Sequence, residues 1–202
     1  MKIPKTKKVK NCLLCKNKKI KKIFSLGNLF VSNFVKKKHI KKGVRAPLTV
    51  MYCPKCTLLQ LSHIAPQELM YKKFYWYRSG VTKTMKDGLK DIYKSSLKYV
   101  NLKKNDVVLD IGANDGTLLK YYKKKVKTIG CEPATNLTKE LKRNCNYTLN
   151  DFWSFNKLNK ILKRNKLQKP KIITAIGMFY DLEDPNKFIK DAALALNENG
   201  VF

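Results

Sequence analysis

Asp106-Val-Val-Leu-Asp110-Ile-Gly112-Ala-Asn114-Asp115-Gly116-Thr-Leu-Leu-Lys120 decides the fold. Val107–Ile111 is apolar except for Asp110, the composition of a parallel strand buried on both faces. It runs into Gly112–Gly116, a turn bearing two glycines, and a helical pattern begins near Thr117. Strand, glycine turn and helix make the first βα unit of a doubly wound α/β sheet. The alternation repeats toward the carboxyl end. Lys127-Thr-Ile-Gly-Cys131 reads as a second strand ending at Glu132-Pro133, Leu137–Asn144 as a helix, and Tyr147-Thr-Leu-Asn-Asp151 as a third strand. Leu158–Lys166 reads as a helix and Lys171-Ile-Ile-Thr-Ala-Ile-Gly177 as a fourth strand. Pro185–Leu196 follows as a helix stopped by Asn199-Gly200, and Val201-Phe202 would begin a fifth strand.

Glu132 lies 16 residues after Gly116, close to where an acidic residue meets ribose hydroxyls in such folds. The spacing of Gly112 and Gly116 is G-x-x-x-G, which does not match the G-x-G-x-x-G of dinucleotide-binding turns. Together, Asp110, Gly112, Asp115, Gly116 and Glu132 resemble motif I and the acidic second-strand end of class I S-adenosylmethionine-dependent methyltransferases. That resemblance implies that Asp110, Gly112, Ala113, Asn114, Asp115 and Gly116 carry the cofactor's amino-acid portion. It implies that Glu132, followed by Pro133, chelates the ribose, and that Asp151 and Phe152 stand where adenine contacts are usual. The commonest version of the motif has Gly where this chain has Asn114, a residue that tolerates left-handed backbone angles.

Upstream, Cys12-Leu-Leu-Cys15 and Cys53-Pro-Lys-Cys56 form two C-x-x-C pairs separated by 37 residues. Two such knuckles can close a tetrahedral site of four thiolates, which suits a structural zinc because no position stays open for water. A redox dithiol would need a βαβ setting, whereas both pairs sit in short, turn-rich stretches. Cys131 and Cys145 read as buried small residues, and His39 and His63 as surface or packing residues with substitute ligation the alternative. Ile23–Gly27 and Leu48–Cys53 are short β-like runs, so this region has little core and depends on its metal. Thr82–Val100 reads as a helix burying Met85, Leu89, Ile92, Ser96 and Tyr99. The expected layout is a four-cysteine zinc-binding module over 1–66 and a helical connector with a Tyr-rich element over 67–101. A Rossmann-like methyltransferase domain follows over 102–202.

The formal charge is +30, from 44 basic and 14 acidic side chains in 202 residues. Only Arg45, Arg78, Arg143 and Arg164 are Arg, which reads as a Lys-rich composition more than as a phosphate-gripping surface. Residues 1–67 nevertheless hold 17 basic side chains and no acidic one. No run of roughly 18–20 apolar residues suggests a membrane span, and the amino terminus has no secretory pattern. A reducing, cytoplasmic setting is expected.

The four cysteines, the Leu-Gln-Leu stretch in Thr57-Leu-Leu-Gln-Leu61, the element Tyr75-Trp-Tyr-Arg-Ser-Gly80, the turn Gly112–Leu119 and Glu132-Pro133 together resemble one family. It is the zinc-containing sugar C-methyltransferases, which act on nucleotide-linked keto-deoxysugars, and the resemblance spans about residues 11–202. Gly177-Met-Phe-Tyr-Asp-Leu-Glu-Asp-Pro185 is similar to a variant fourth-strand motif of its relatives. The implied chemistry removes a proton beside the sugar ketone, and the enolate carbon attacks the sulfonium methyl. Tyr75, Tyr77 and Tyr180 would donate hydroxyls to that pocket, with packing the alternative for each. Arg78 would meet a nucleotide phosphate or stand in solvent. Family members continue well beyond this length, and the Glu-His pair of their base region has no counterpart here. The chain therefore reads as an amino-terminal fragment, its methyltransferase domain incomplete at the carboxyl end. Two other functions fit some of these features. An RNA base methyltransferase would use the lysines, but its Asn/Asp-Pro-Pro-aromatic turn is replaced by Gly177-Met-Phe-Tyr. A non-catalytic zinc-binding interaction module would keep the cofactor fold as a relic.

Overall fold

The structure is a computed structural model that describes residues 6–31, 37, 40, 43–72 and 74–202. His39 lies outside the described residues. The chain divides into two compact units, Met1–Lys73 with Glu183–Asn186, and Phe74–Leu182 with Lys187–Phe202.

In the smaller unit, β1 (Lys7–Lys8) pairs with β5 (His63–Ile64). β2 (Lys21–Phe30), β3 (Arg45–Tyr52) and β4 (Leu59–Leu61) form an antiparallel sheet in that order. Every residue of β2 is exposed. The only fully buried apolar residues among the described ones of this unit are Cys12 and Cys53. A sheet that hides so little cannot drive its own folding, and the cysteine cluster takes that role.

The larger unit opens with α1 (Lys83–Tyr99), whose start is set by the Thr82 hydroxyl accepting the Met85 N–H. β6 (Val107–Ile111), α2 (Thr117–Tyr122), β7 (Lys127–Cys131), α3 (Thr138–Asn144), β8 (Tyr147–Leu149), α4 (Phe155–Arg164), β9 (Ile172–Thr174) and α5 (Pro185–Ala195) follow. The strands are parallel and ordered β8-β7-β6-β9, so the direction of winding reverses between β6 and β9. Ligands of open α/β sheets bind at that reversal, beyond the carboxyl ends of the strands.

Strand alternation builds two cores. Val107, Leu109 and Ile111 pack with Leu158 and Leu162 of α4 and Phe188 of α5. Val108, on the opposite face, packs with Leu89 of α1, Leu118, Leu119 and Tyr122 of α2 and Leu141 of α3. The buried stripe of α1 departs from expectation at its end. Tyr99 is 77% exposed, and Val100, just past the helix, is buried in its place. Ser96 does meet the core, sharing a 2.6 Å hydrogen bond with the Tyr122 hydroxyl.

Three strands are shorter than their apolar runs. β8 stops at Leu149 because the Asn150 side chain turns to donate to the Glu132 carbonyl at 2.8 Å. β9 stops at Thr174, whose hydroxyl donates to Asp110 at 2.6 Å, and Gly177 then adopts φ +64° and turns the chain away. Val201 joins only as a single parallel bridge to Ile172. α4 begins earlier than expected, at Phe155, whose N–H donates to Asp191 at 3.3 Å. Among the described residues no helix is long and apolar enough to cross a membrane.

Leu109 is fully buried in a central strand. Leu109→Ala should cost about 2–5 kcal/mol of unfolding free energy by the cavity it leaves. Leu194→Ala, at a position 46% exposed, should cost well under 1 kcal/mol. Denaturant melts followed by circular dichroism would check the pair.

Candidate functional site

In the smaller unit the two C-x-x-C pairs fold as matched turns. The Cys12 N–H donates to the Asn17 carbonyl at 2.9 Å and the Lys16 N–H to the Cys12 carbonyl at 3.0 Å. The Cys53 N–H donates to Leu58 at 2.9 Å and the Thr57 N–H to Cys53 at 2.8 Å. The residue after each pair is left-handed, Lys16 at φ +60° and Thr57 at +61°. These turns bring the Sγ atoms of Cys12, Cys15, Cys53 and Cys56 within 4.8 Å of one another. Cys12 Sγ lies 3.5 Å from Cys56 Sγ, and Cys15 Sγ lies 3.6 Å from Cys53 Sγ. A tetrahedral zinc with Zn–S bonds of ~2.3 Å needs its sulfurs ~3.8 Å apart, so the cluster fits the ion with little adjustment. His63 stands outside it, its Nδ1 bonded to the Ser62 hydroxyl at 2.9 Å.

Gln60 is a supporting residue that sequence reasoning noted only as part of a motif. It is buried, its Oε1 accepts the Leu13 N–H at 2.8 Å, and its Nε2 donates to the Asn11 carbonyl at 3.2 Å. One side-chain amide from β4 therefore holds the backbone on both sides of Cys12.

In the larger unit the turn after β6 is built from left-handed residues, Gly112 at φ +75°, Asn114 at +52° and Gly116 at +78°. At Gly112 a Cβ would also stand 3.0 Å from Met178 Cγ, in the segment after β9. Ala113, Asn114 and Asp115 are buried. The Asn114 N–H donates to Glu132 Oε2 and the Ala134 N–H to Glu132 Oε1, each at 2.9 Å. A carboxylate has about four acceptor positions. Glu132 spends two of these on backbone N–H groups.

Burial dominates the acid chemistry here. It pushes the Asp110 carboxyl up to about 7, against the Thr174 hydroxyl that favours the charged form, and Glu132 adds like-charge repulsion. Glu132 is also raised by burial, with its two backbone N–H partners pulling the other way. Asp115 differs. Its Oδ1 accepts from the Thr117 N–H and hydroxyl at 3.0 and 2.6 Å, and its Oδ2 from the Gly80 N–H at 2.7 Å. This carboxylate therefore starts α2 and ties in a neighbouring segment. Asp151 accepts from the Phe152 N–H at 2.9 Å and pairs with Lys157 at 2.6 Å, beyond the end of β8. Pro133 follows Glu132 directly and is partly buried. Cys131 and Cys145 are raised by burial, Cys145 to about 11, and pack as inert thiols.

The Tyr-rich element lies across this turn. Asn114 Oδ1 accepts the Ser79 N–H and Asn114 Nδ2 donates to the Tyr77 carbonyl, both at 3.0 Å. Asn136 Oδ1 accepts the Tyr75 N–H and its Nδ2 donates to the Tyr75 carbonyl, again at 3.0 Å. Arg78 pairs with Glu140 at 3.0 Å, so its partner within the protein is a carboxylate. Gly80 approaches so closely that a Cβ would stand 2.7 Å from Thr117 Oγ1 and 2.9 Å from Asp115 Oδ2. Burial raises the Tyr75 phenol, and Tyr180, Asp181, Glu132 and Tyr77 raise it further through their charges. Tyr77 and Tyr180 are exposed, at 45% and 80%.

Comparison with known proteins adds the following. Residues 77–202 match a family described as "Methyltransferase domain", and residues 12–71 match one described as "Putative zinc binding domain". No curated protein matches the chain. Among solved structures, a precorrin 8w decarboxylase from Methanobacterium thermoautotrophicum superposes with a TM-score of 0.41 at 16% identity, over 55% of this chain and 59% of that one. A SAM-dependent methyltransferase from Geobacter sulfurreducens, in complex with S-adenosyl-L-homocysteine, gives 0.38 at 13% identity, over 62% and 49%. A precorrin-6y C5,15-methyltransferase from Geobacter metallireducens gives 0.35 at 13%, over 64% and 63%. The chain thus spans about half to two thirds of the length of these structures.

Two predictions follow from this geometry. The purified chain should carry one zinc per molecule by atomic absorption, and Cys53→Ser should lose it together with the protease resistance of residues 6–31 and 43–72. The second concerns pH. The Asp110 carboxyl sits at about 7 against an ordinary 3.8, so the folded state binds the extra proton between those values. Its burial penalty is absent below about 4, grows as pH rises, and is complete above about 7. The thermal midpoint should therefore rise as pH falls from about 7 toward 5, and Asp110→Asn should flatten that slope.

Proposed function

The chain belongs to the methyltransferase-domain family, and we propose that it serves S-adenosylmethionine-dependent methylation of a carbon in a nucleotide-linked keto-deoxysugar, through an enolate. The observation that carries this reading is the placement of the Tyr75–Gly80 segment across the Gly112–Gly116 turn. A cofactor-type turn is thereby joined to the backbone of the segment that carries Tyr75 and Tyr77.

The cofactor, when bound, supplies an electrophilic methyl group on a sulfonium. The chain's own residues would do the following. Left-handed Gly112, Asn114 and Gly116, with Ala113 between them, present a backbone cradle, and Gly112 lets Met178 close against it. Glu132 accepts a ribose diol on its two remaining acceptor positions, with Pro133 shaping the bend that follows. Asp110 shifts toward its charged form when an ammonium group approaches, which offsets its burial. Asp151 and Phe152 stand beyond the third strand for the adenine. Tyr75, held protonated by burial, donates a hydrogen bond to an oxyanion and does not act as the base. Tyr77 and Tyr180 are the exposed phenols, free to meet a sugar. Cys12, Cys15, Cys53 and Cys56 would hold zinc as a structural cross-link, their four thiolates leaving no open position on the ion.

A second reading, RNA base methylation, is favoured by one observation, the 17 basic and no acidic side chains in residues 1–67. It requires RNA binding that weakens steeply with salt.

Calorimetry with S-adenosylhomocysteine tests the cofactor site. Binding should be measurable in the wild type, and Glu132→Ala should weaken it by roughly tenfold to a hundredfold, the ~1.5–3 kcal/mol of hydrogen bonds to a charged group. Absence of wild-type binding would refute the cofactor assignment for this polypeptide.

A further inference from the structure

Two of the side chains that hold the Tyr75–Gly80 segment, Asn114 and Asn136, grow from the two loops that form the candidate cofactor site. Asn114 is the middle residue of the turn after β6, and its own N–H is bonded to Glu132. Asn136 comes four residues after Glu132, in the short turn Thr135–Leu137 that leads into α3. A primary amide carries a donor and an acceptor side by side, as a peptide edge does. Asn136 uses both on one residue, Tyr75, and so fixes where its backbone lies. Asn114 spans Tyr77 and Ser79 in the same manner. Asp115 adds the Gly80 N–H. Tyr75, Tyr77, Ser79 and Gly80 are thus attached to the two loops, and Arg78 between them pairs with Glu140 of α3.

The geometry points to Asn136 and Asn114 as positioning residues, a pair of amide clips that seat Tyr75 and Tyr77 against the cofactor loops. This rests on the methyltransferase reading for its purpose, though the clips themselves are testable without any ligand. It also accounts for Asn at position 114. Gly would satisfy φ +52° at no steric cost but would leave the Tyr77 carbonyl and the Ser79 N–H without their partner. Tyr75 and the cofactor turn then form one unit, so the phenols are in place only when the loops are.

The test is amide hydrogen exchange, read by mass spectrometry on the full chain, for wild type, Asn136→Ala and Asn136→Asp. Asn136→Ala should raise exchange at residues 75–80 at least tenfold while leaving β6 and β7 unchanged. Asn136→Asp supplies a readout that a bulk structural role would not move. As a carboxylate it keeps an acceptor for the Tyr75 N–H but opposes the Tyr75 carbonyl. Protonated, it regains one donor and one acceptor. Protection of residues 75–80 relative to wild type at the same pH should therefore be lost at pH 7 and return toward pH 4. Exchange at 75–80 equal to wild type in both variants would overturn the proposal. So would a uniform rise throughout the larger unit, which would make Asn136 a stability residue. Should Asn136→Ala not fold, the pH response of Asn136→Asp decides alone. Wild-type calorimetry with S-adenosylhomocysteine separates the readings, because clips without binding would leave this inference standing and remove the methyltransferase one.

Discussion

The burial of two carboxylates at the ends of adjacent parallel strands is the constraint around which the larger unit is organised. Asp110 is the penultimate residue of β6 and Glu132 follows β7, and both are buried. A charge taken from water needs partners or a shifted pKa. The protein supplies both. Thr174 from β9 donates to Asp110, which is why a strand with a longer apolar run ends there. Asn114 and Ala134 donate backbone N–H groups to Glu132, which fixes the left-handed turn after β6 and the bend at Pro133 together. The residual strain appears as raised pKa values in both acids.

Side-chain amides perform the fine positioning in both units. Gln60 brackets Cys12 from behind, Asn114 and Asn136 hold the Tyr-rich segment, and Asn146 accepts the Thr128 N–H and hydroxyl, each at 2.9 Å. An amide suits these tasks because it stays neutral at every pH and matches both edges of a peptide. In a chain of charge +30, neutral clips also avoid the long-range repulsion that further lysines would add. The four-cysteine cluster contributes differently. It substitutes for a hydrophobic core in a unit whose longest strand is exposed along its whole length.

Much of this was legible from residue order. The βα alternation placed every strand and helix of the larger unit within a few residues, because buried parallel strands leave unmistakable apolar runs. The two C-x-x-C pairs announced a four-sulfur cluster, since each knuckle is a local structure. Asp110, the glycines and Glu132 stood out by spacing. Less legible were the residues whose partners lie far along the chain. Asn136 has no motif around it, and its attachment to Tyr75 crosses 61 residues. Asp115 read as a ligand contact, and its bond from the Gly80 N–H, 35 residues away along the chain, carried no signal in the sequence. Tyr99 matched the helical stripe by periodicity and is exposed, since the core turns instead to Val100.

The sequence by itself therefore determined the elements, the cysteine pairs and the character of the glycine turn. All of these follow from local sterics and from periodic burial, which neighbouring residues encode. Only the tertiary structure decided which polar side chains bond to which segments across the fold. That pairing depends on hydrogen bonds between segments brought together by folding, and a donor's partner is set by distance in space and not along the chain.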